Sequence, residues 1–185
     1  MSKTLATRVK YNIGKTYGPS VAMSAASNAS ECVITLAAGH AVVAGDWLEI
    51  TSGWPKMNNK ILRVKTVSSN DITLEGFSTT NTNIFAAGSG VGSVRRITAF
   101  DQLSNIKNVS PSGGDQQFAD GTTLDDDVEV KAPTIRSART ETIEFCDDPS
   151  MPWYATACAA SDTVTPTALL KVLPNGAKIA SNYYW

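Results

Sequence analysis

The residues that could carry out catalysis are few. His40 is the only histidine in the sequence, so a metal site built from several histidines and a proton relay between two of them are both excluded. It lies between Gly39 and the Gly45-Asp46 pair, a setting typical of a turn, which favours a structural role. A Ser-His-Asp or Cys-His arrangement that uses His40 stays open on composition. Because neither a G-x-S-x-G nor a cysteine-protease motif accompanies it, a small hydrolase is the least favoured class.

Two groups of carboxylates could also do chemistry. The run Asp125, Asp126 and Asp127 offers oxygen ligands for a divalent cation, but it lacks the EF-hand spacing, and adjacent residues on a strand point to opposite faces. A solvated or interface acidic patch is the favoured interpretation. Glu141 and Glu144 could form a glycosidase pair, but residues three apart on a strand also face opposite sides, so this alternative is rejected.

The remaining motifs favour structure over chemistry. The glycine-rich run at 88–93 has neither a lysine nor Walker spacing and precedes a predicted strand, so we interpret it as a hinge and not as a phosphate loop. Cys32, Cys146 and Cys158 contain no C-x-x-C motif, which disfavours zinc, and their odd number leaves at least one thiol unpaired within the chain. The sequence therefore predicts no enzyme, no metal site and no cofactor.

Charge is distributed unevenly along the 185 residues. The net charge of −1 gives no basic footprint for sequence-specific nucleic-acid binding. Residues 1–20 carry four bases and no acid, whereas residues 101–148 carry eleven acids and four bases, a local net charge of −7. A basic arm and an acidic body favour head-to-tail contact between copies. A solvated tail and a solvated acidic face would explain the charges equally well.

The elements that must position these residues are mainly strands. Ser and Thr together number 38, and 13 Gly and 8 Pro accompany them, which favours short strands and turns over long helices. We expect an extended arm at residues 1–23, a small β-barrel at 24–92, and a second body at 93–185 with a long loop at 108–123 and a helix at about 149–160. The strands predicted for the second body are 94–100, 128–131, 139–145, 169–173 and 178–185.

The termini lead to two further expectations. The first ten residues contain no apolar signal-peptide core, and no 18-residue apolar run occurs in the sequence, which predicts neither a signal peptide nor a membrane span. The predicted last strand ends in Tyr183, Tyr184 and Trp185, three aromatic residues with no following strand to cover them. We expect that the chain continues beyond Trp185.

Part of the predicted barrel resembles a small β-barrel module that recurs in phage virion proteins. The resemblance covers about 45 residues and departs from the pattern at Ala41, where the module has a glycine. The residues that carry it are Val33 and Thr35, Gly39-His40, Gly45-Asp46 before the strand Trp47–Thr51, Asn58-Asn59-Lys60, Arg63-Val64 and Thr73-Leu74-Glu75-Gly76.

The second body, roughly residues 93–185, is similar to the tail tube proteins of long, non-contractile-tailed phages. In that family an acidic Leu-Asp-Asp stretch follows a long loop, and a Pro-Asn-Gly hairpin follows the helix. The matching features here are Asn108–Pro111, the loop that leads to Leu124–Asp127, the strand end Thr142–Phe145, a following helix, and Leu173–Gly176. Family members continue past this hairpin with at least one more strand.

The resemblance implies a mainly β fold, a tail-tube-type sandwich or barrel with one flanking helix and an added barrel module. It also implies six-membered rings stacked into a tube that conducts DNA without binding it specifically, in a virion assembled in the host cytoplasm. Tape measure, tail terminator and tail tip proteins would be partners. The implied contact residues are Arg8, Lys10, Lys15, Ser112, Gly113, Gly114, Asp115, Asp125, Asp126 and Asp127, and the implied lumen-facing acids are Glu129, Glu141 and Glu144.

Two other interpretations stay open at this stage. A head-tail connector or tail terminator protein would also form rings of this fold. A carbohydrate- or receptor-binding β module could use Trp47, Trp54 and Tyr183 as stacking platforms, although such aromatics are more often part of a core.

Overall fold

The computed structural model describes residues 8–185 and is mainly β, as expected. In the described residues it contains twelve strands and one helix. Their bounds are β1 Lys10–Ala26, β2 Val33–Leu36, β3 Trp47–Ser52, β4 Lys60–Ser68, β5 Asp71–Leu74, β6 Gly92–Leu103, β7 Ile106–Gly113, β8 Gln116–Asp120, β9 Lys131–Arg136, β10 Arg139–Phe145, α1 Pro152–Thr163, β11 Thr167–Val172 and β12 Lys178–Tyr183. The chain divides into two units: residues up to Leu103 together with Pro149–Trp185, and Ser104–Asp148.

Six strands of the first unit form a closed barrel. The hydrogen-bonded order β1-β2-β5-β4-β3-β6 returns to β1 through an additional β1–β6 pairing. Alternate side chains of these strands point inward, as the period of two requires, and they surround Trp54 and Met57. Because strands β2 to β5 close only with the flanking β1 and β6, the self-contained module expected at residues 24–92 is not confirmed.

Strand β1 is part of an eight-stranded sheet with the order β12-β11-β1-β2-β5-β4-β3-β6, which includes the six strands of the barrel. It pairs with β11 from Lys10 to Ile13, with β6 from Tyr11 to Met23, and with β2 near its end. The loose alternation of this segment predicts an extended arm or an arm with one edge strand, whereas β1 has partner strands on both sides. Register shifts along the β1–β6 ladder, starting at Gly14, account for that loose pattern. Residues 1–7 of the expected arm lie outside the described residues.

The helix begins three residues later than expected. Pro152 takes the first helical position, where its missing N–H costs no hydrogen bond, and Met151 is the N-cap without a side-chain cap. Trp153 and Ala160 are buried, and the side chain of Thr156 donates a 2.7 Å hydrogen bond to Asp101 of β6. In the part of the chain that the structure describes, no helix is long and apolar enough to cross a membrane.

The second unit is a two-stranded ribbon, which we call the ribbon and define as residues 104–148. Strand β7 pairs with β10, and β8 pairs with β9, all antiparallel. The predicted loop at 108–123 is therefore largely two strands, and the strand predicted at 128–131 begins only at Lys131. The errors have physical causes. Strand β7 ends in Ser-Pro-Ser-Gly, residues typical of turns, and β8 and β9 are exposed along nearly their whole length, so no alternation of buried apolar and exposed polar residues marks them as strands.

Candidate assembly interface

The β7–β10 ladder gives the ribbon two chemically different faces. Residues directly opposite each other share a face, and successive residues alternate between faces. Register pairs Val109 with Ile143 and Ser110 with Thr142. One face is mainly apolar and holds Ile106, Val109, Pro111, Glu141, Ile143 and Phe145, all of them half-buried except Pro111, which is exposed. The other is polar and exposed, and it holds Asn108, Ser110, Ser112, Thr140, Thr142 and Glu144.

Because of this alternation, Glu141 and Glu144, both predicted to face the lumen, lie on different faces. Glu141 pairs with Pro111 on the half-buried face, whereas Glu144 pairs with Asn108 on the polar face. The third predicted acid, Glu129, forms a 2.9 Å ion pair with Lys131 near the end of the ribbon. Glu141 and Glu144 therefore lie on opposite faces of the β7–β10 ladder.

The predicted contact residues 112–115 form the joint between the two ladders. Gly113 and Gly114 have φ angles of +73° and +85°, a conformation that favours glycine. A Cβ atom on Gly113 would lie 2.0 Å from the Ala138 carbonyl oxygen, so no larger residue fits there without a backbone shift. Asp115 and Ser137 close the joint through two 2.9 Å hydrogen bonds. The glycines therefore have a conformational role that the sequence alone did not assign.

The far end of the ribbon, residues 120–130, is a turn held by its own polar groups, and we call it the tip. The hydroxyl of Thr122 donates to Asp120 and lowers the pKa of that carboxyl. The backbone N–H and the hydroxyl of Thr123 donate to Asp126 and lower the pKa of that carboxyl in the same way. In the described residues no cluster of three or more His, Cys, Asp or Glu is arranged to hold a metal ion.

Apolar side chains on the ribbon were not identified from the sequence. Leu124 at the tip is fully exposed, and Phe118 and Ile135 are 58% and 77% exposed. Val128 and Val130 are also exposed. The ribbon as a whole carries ten acidic and four basic side chains. Large exposed apolar side chains on an otherwise polar surface mark interaction sites, and a leucine beside three aspartates was the available signal.

The predicted basic contact residues have different environments. Arg8 and Lys10 are exposed. Lys15 forms a 3.0 Å ion pair with Asp101, so it already has a partner within its own chain. Burial acts to raise the pKa of Asp101, but hydrogen bonds from Thr156 and Lys15 outweigh it, and the pKa is lowered.

The residues considered for chemistry or ligand stacking have structural surroundings. The backbone N–H of Val42 donates to His40 Nδ1 at 3.3 Å, and His40 Nε2 lies 3.1 Å from the Ser69 carbonyl oxygen. The ring therefore contacts both its own turn and the turn at Ser69. Trp54 is 1% exposed and donates to the Ala86 carbonyl at 2.7 Å, so it is a core residue and not a platform. Trp47 and Tyr183 are half-buried, and Cys32 is buried whereas Cys146 and Cys158 are exposed thiols.

Comparison with known proteins identifies one family. The model of the phage tail tube protein family (TTP) matches residues 52–185, which is more than half of the chain and includes the ribbon, α1 and the β11–β12 hairpin. No curated protein and no solved structure matches the chain.

Proposed function

Since this chain belongs to the phage tail tube protein family, we propose that it forms hexameric rings that stack into a tube and conduct DNA into the host. It is a structural protein of the virion tail. The proposal assigns it no catalytic activity and no cofactor, and it places ring assembly in the host cytoplasm. Tape measure, tail terminator and tail tip proteins would contact the inner surface or the ends of the tube.

The ribbon is the observation that carries this proposal. None of its residues is buried, yet it exposes several large apolar side chains. A two-stranded ribbon is marginally stable in water on its own, because its strands pair with each other and with no third element. A ribbon of this composition would gain stability by packing on neighbouring copies.

The polar face of the ribbon suits a surface past which DNA moves. The six side chains on that face include hydroxyls, an amide and the Glu144 carboxylate, and none of them is basic. Basic side chains bind phosphates by releasing counterions, so a face without them holds DNA weakly, and a ring of carboxylates repels it. We assign this face to the lumen, with Glu144 as the lumen acid and Glu141 directed to the opposite side.

Ring stacking would use the tip and the basic residues near the start of the chain. Asp125, Asp126 and Asp127 are exposed at the tip, and Arg8 and Lys10 are exposed at the start of β1. Attraction between these groups on adjacent copies would join two different surfaces, a heterologous contact that can repeat from ring to ring. Lys15 is assigned to its intrachain partner Asp101 and not to this contact.

The test is the oligomeric state of the full chain, measured by light scattering and negative-stain electron microscopy over a range of concentrations. The proposal predicts rings and tubes with a central channel wide enough for a DNA duplex. A matched control replaces residues 106–145 with a short glycine-serine turn, since the backbone N–H of Cys146 already bonds to the Asn105 carbonyl at the base of the ribbon. This variant should keep the melting profile of the first unit and stay monomeric. A full chain that stays monomeric at every concentration would contradict the proposal.

A further inference from the structure

The first unit contains a groove that is lined by both apolar and charged side chains. It lies between β4 and the turn of the β11–β12 hairpin and has a volume of about 680 Å³. Trp47, Ile61 and Ala180 form its apolar floor, and Arg63, Glu75 and Lys178 stand at its rim. A volume of this size is within the range of sites that accept a ligand or an anchoring side chain.

Of the two cations at the rim, Arg63 has an ion-pair partner among the described residues and Lys178 does not. Arg63 and Glu75 neutralise each other through a 3.0 Å ion pair. Lys178 is exposed, and no ion pair or hydrogen bond of its ammonium group is found among the described residues. The groove therefore combines an apolar floor with one unpaired positive charge, and it favours an occupant that carries an apolar side chain beside a carboxylate.

The tip of the ribbon has the complementary chemistry. Leu124 is fully exposed. Asp125 and Asp127 flank Asp126, whose carboxylate already accepts a hydrogen bond from the backbone N–H of Thr123. The backbone N–H of Val130 also donates to Thr122, so the turn is held in one conformation before any contact forms. A preorganised loop loses little conformational entropy when it binds, which favours such a tip as an anchor.

We propose that the groove of one copy receives the tip of a second copy, with Leu124 on the apolar floor and Asp125 and Asp127 against Lys178. This inference rests on the proposed function and refines it: Lys178 at the rim of the groove, in place of Arg8 and Lys10, is the partner of Asp125 and Asp127. The tip and the groove are different surfaces, so the contact can repeat from copy to copy as a heterologous interface. It also explains why an exposed leucine is placed next to acids: the acids select the basic rim, and the leucine fills the groove.

A charge exchange tests the contact. Lys178→Glu alone, and Asp125→Lys with Asp127→Lys, should each lower the affinity of assembly about tenfold or more, because each places like charges together. The combination of all three substitutions in one chain should restore it. Lys56→Glu, which removes an exposed lysine outside the groove, is the matched control and should assemble like the wild type.

A cross-link provides the second measurement. In a background in which Cys146 and Cys158 are serine, Leu124→Cys and Ala177→Cys should form disulfide-linked ladders on a non-reducing gel. A disulfide within single chains, or no disulfide in tubes that otherwise form, would overturn the contact and leave the proposed function intact. A charge exchange that fails to restore assembly would do the same. A wild-type chain that forms no assembly would overturn both.

Discussion

The buried carboxylate of Glu49 gives the most specific stability prediction. Its side chain is 11% exposed and accepts a 2.8 Å hydrogen bond from Arg95 Nε, while the Arg95 guanidinium lies 4.9 Å from the centre of the Tyr17 ring. Arg95→Met removes the cation and leaves the carboxylate with Asn182 at 3.4 Å. Removing one partner of a fully buried pair costs about 3–5 kcal/mol. Because Arg95 is itself 47% exposed, water can solvate part of the orphaned charge, and we expect a loss of about 2 kcal/mol.

A matched pair on the surface provides the control for that experiment. Arg63 and Glu75 form an ion pair with side chains 38% and 48% exposed, so Arg63→Met should cost less than about 1 kcal/mol. The free energy of unfolding is measured by urea denaturation at neutral pH for both variants. Glu49→Gln alone and Glu49→Gln combined with Arg95→Met complete a double-mutant cycle. The double variant should be less destabilised than the two single effects added together. Equal losses for Arg95→Met and Arg63→Met would refute the reasoning that burial of Glu49 sets the cost.

Three further predictions concern acid stability, the ribbon joint and the lumen. Because the pKa of Asp101 is lowered in the fold, its carboxylate contributes stability that is fully present above the ordinary value of 3.8 and is lost as the pH falls through the lower folded value. The stability of Asp101→Asn should therefore depend less on pH between those two values than that of the wild type, and an unchanged slope there would contradict this role. Gly113→Ala should make the ribbon sensitive to protease while the first unit melts unchanged, and Gly121→Ala, which meets nothing closer than 3.7 Å, should not; equal cleavage would contradict the role of the joint. Glu144→Lys should make assembled tubes retain DNA in a filter assay at low salt and Glu141→Lys should not, whereas the reverse result would move the lumen to the other face.

Local signals in the sequence were enough to predict several elements. The alternating segment 139–145 is strand β10, and the Pro174-Asn175-Gly176 turn lies between β11 and β12 as expected. The helix was recognised from its alanines and from Pro152, and its start was misplaced because Asp148 and Ser150 resemble caps but do not act as the N-cap. Each of these predictions depends on residues that are close together in the chain.

The features that were missed depend on distant pairings. Lys15 and Asp101 are 86 residues apart, so nothing near Lys15 indicates that its charge is neutralised within the chain. The barrel closes only because β1 pairs with β6, a register that no local pattern specifies. Of the two ribbon strands before the tip, β7 contains serine, proline and glycine, and β8 is a short polar segment with Phe118 as its one large apolar residue. Neither strand buries a residue, so hydrophobic periodicity and strand propensity do not identify them.

The central claim is that copies of this chain build a tube through contacts made by the ribbon. The most direct test is electron microscopy of the purified full chain beside the variant that lacks residues 106–145, at equal concentration, with averaging of end-on views. We predict six-fold rings and stacked tubes with an open channel for the full chain, and single folded copies for the variant. Tubes formed equally well without the ribbon, or end-on views of the full chain that lack a central channel, would contradict the account.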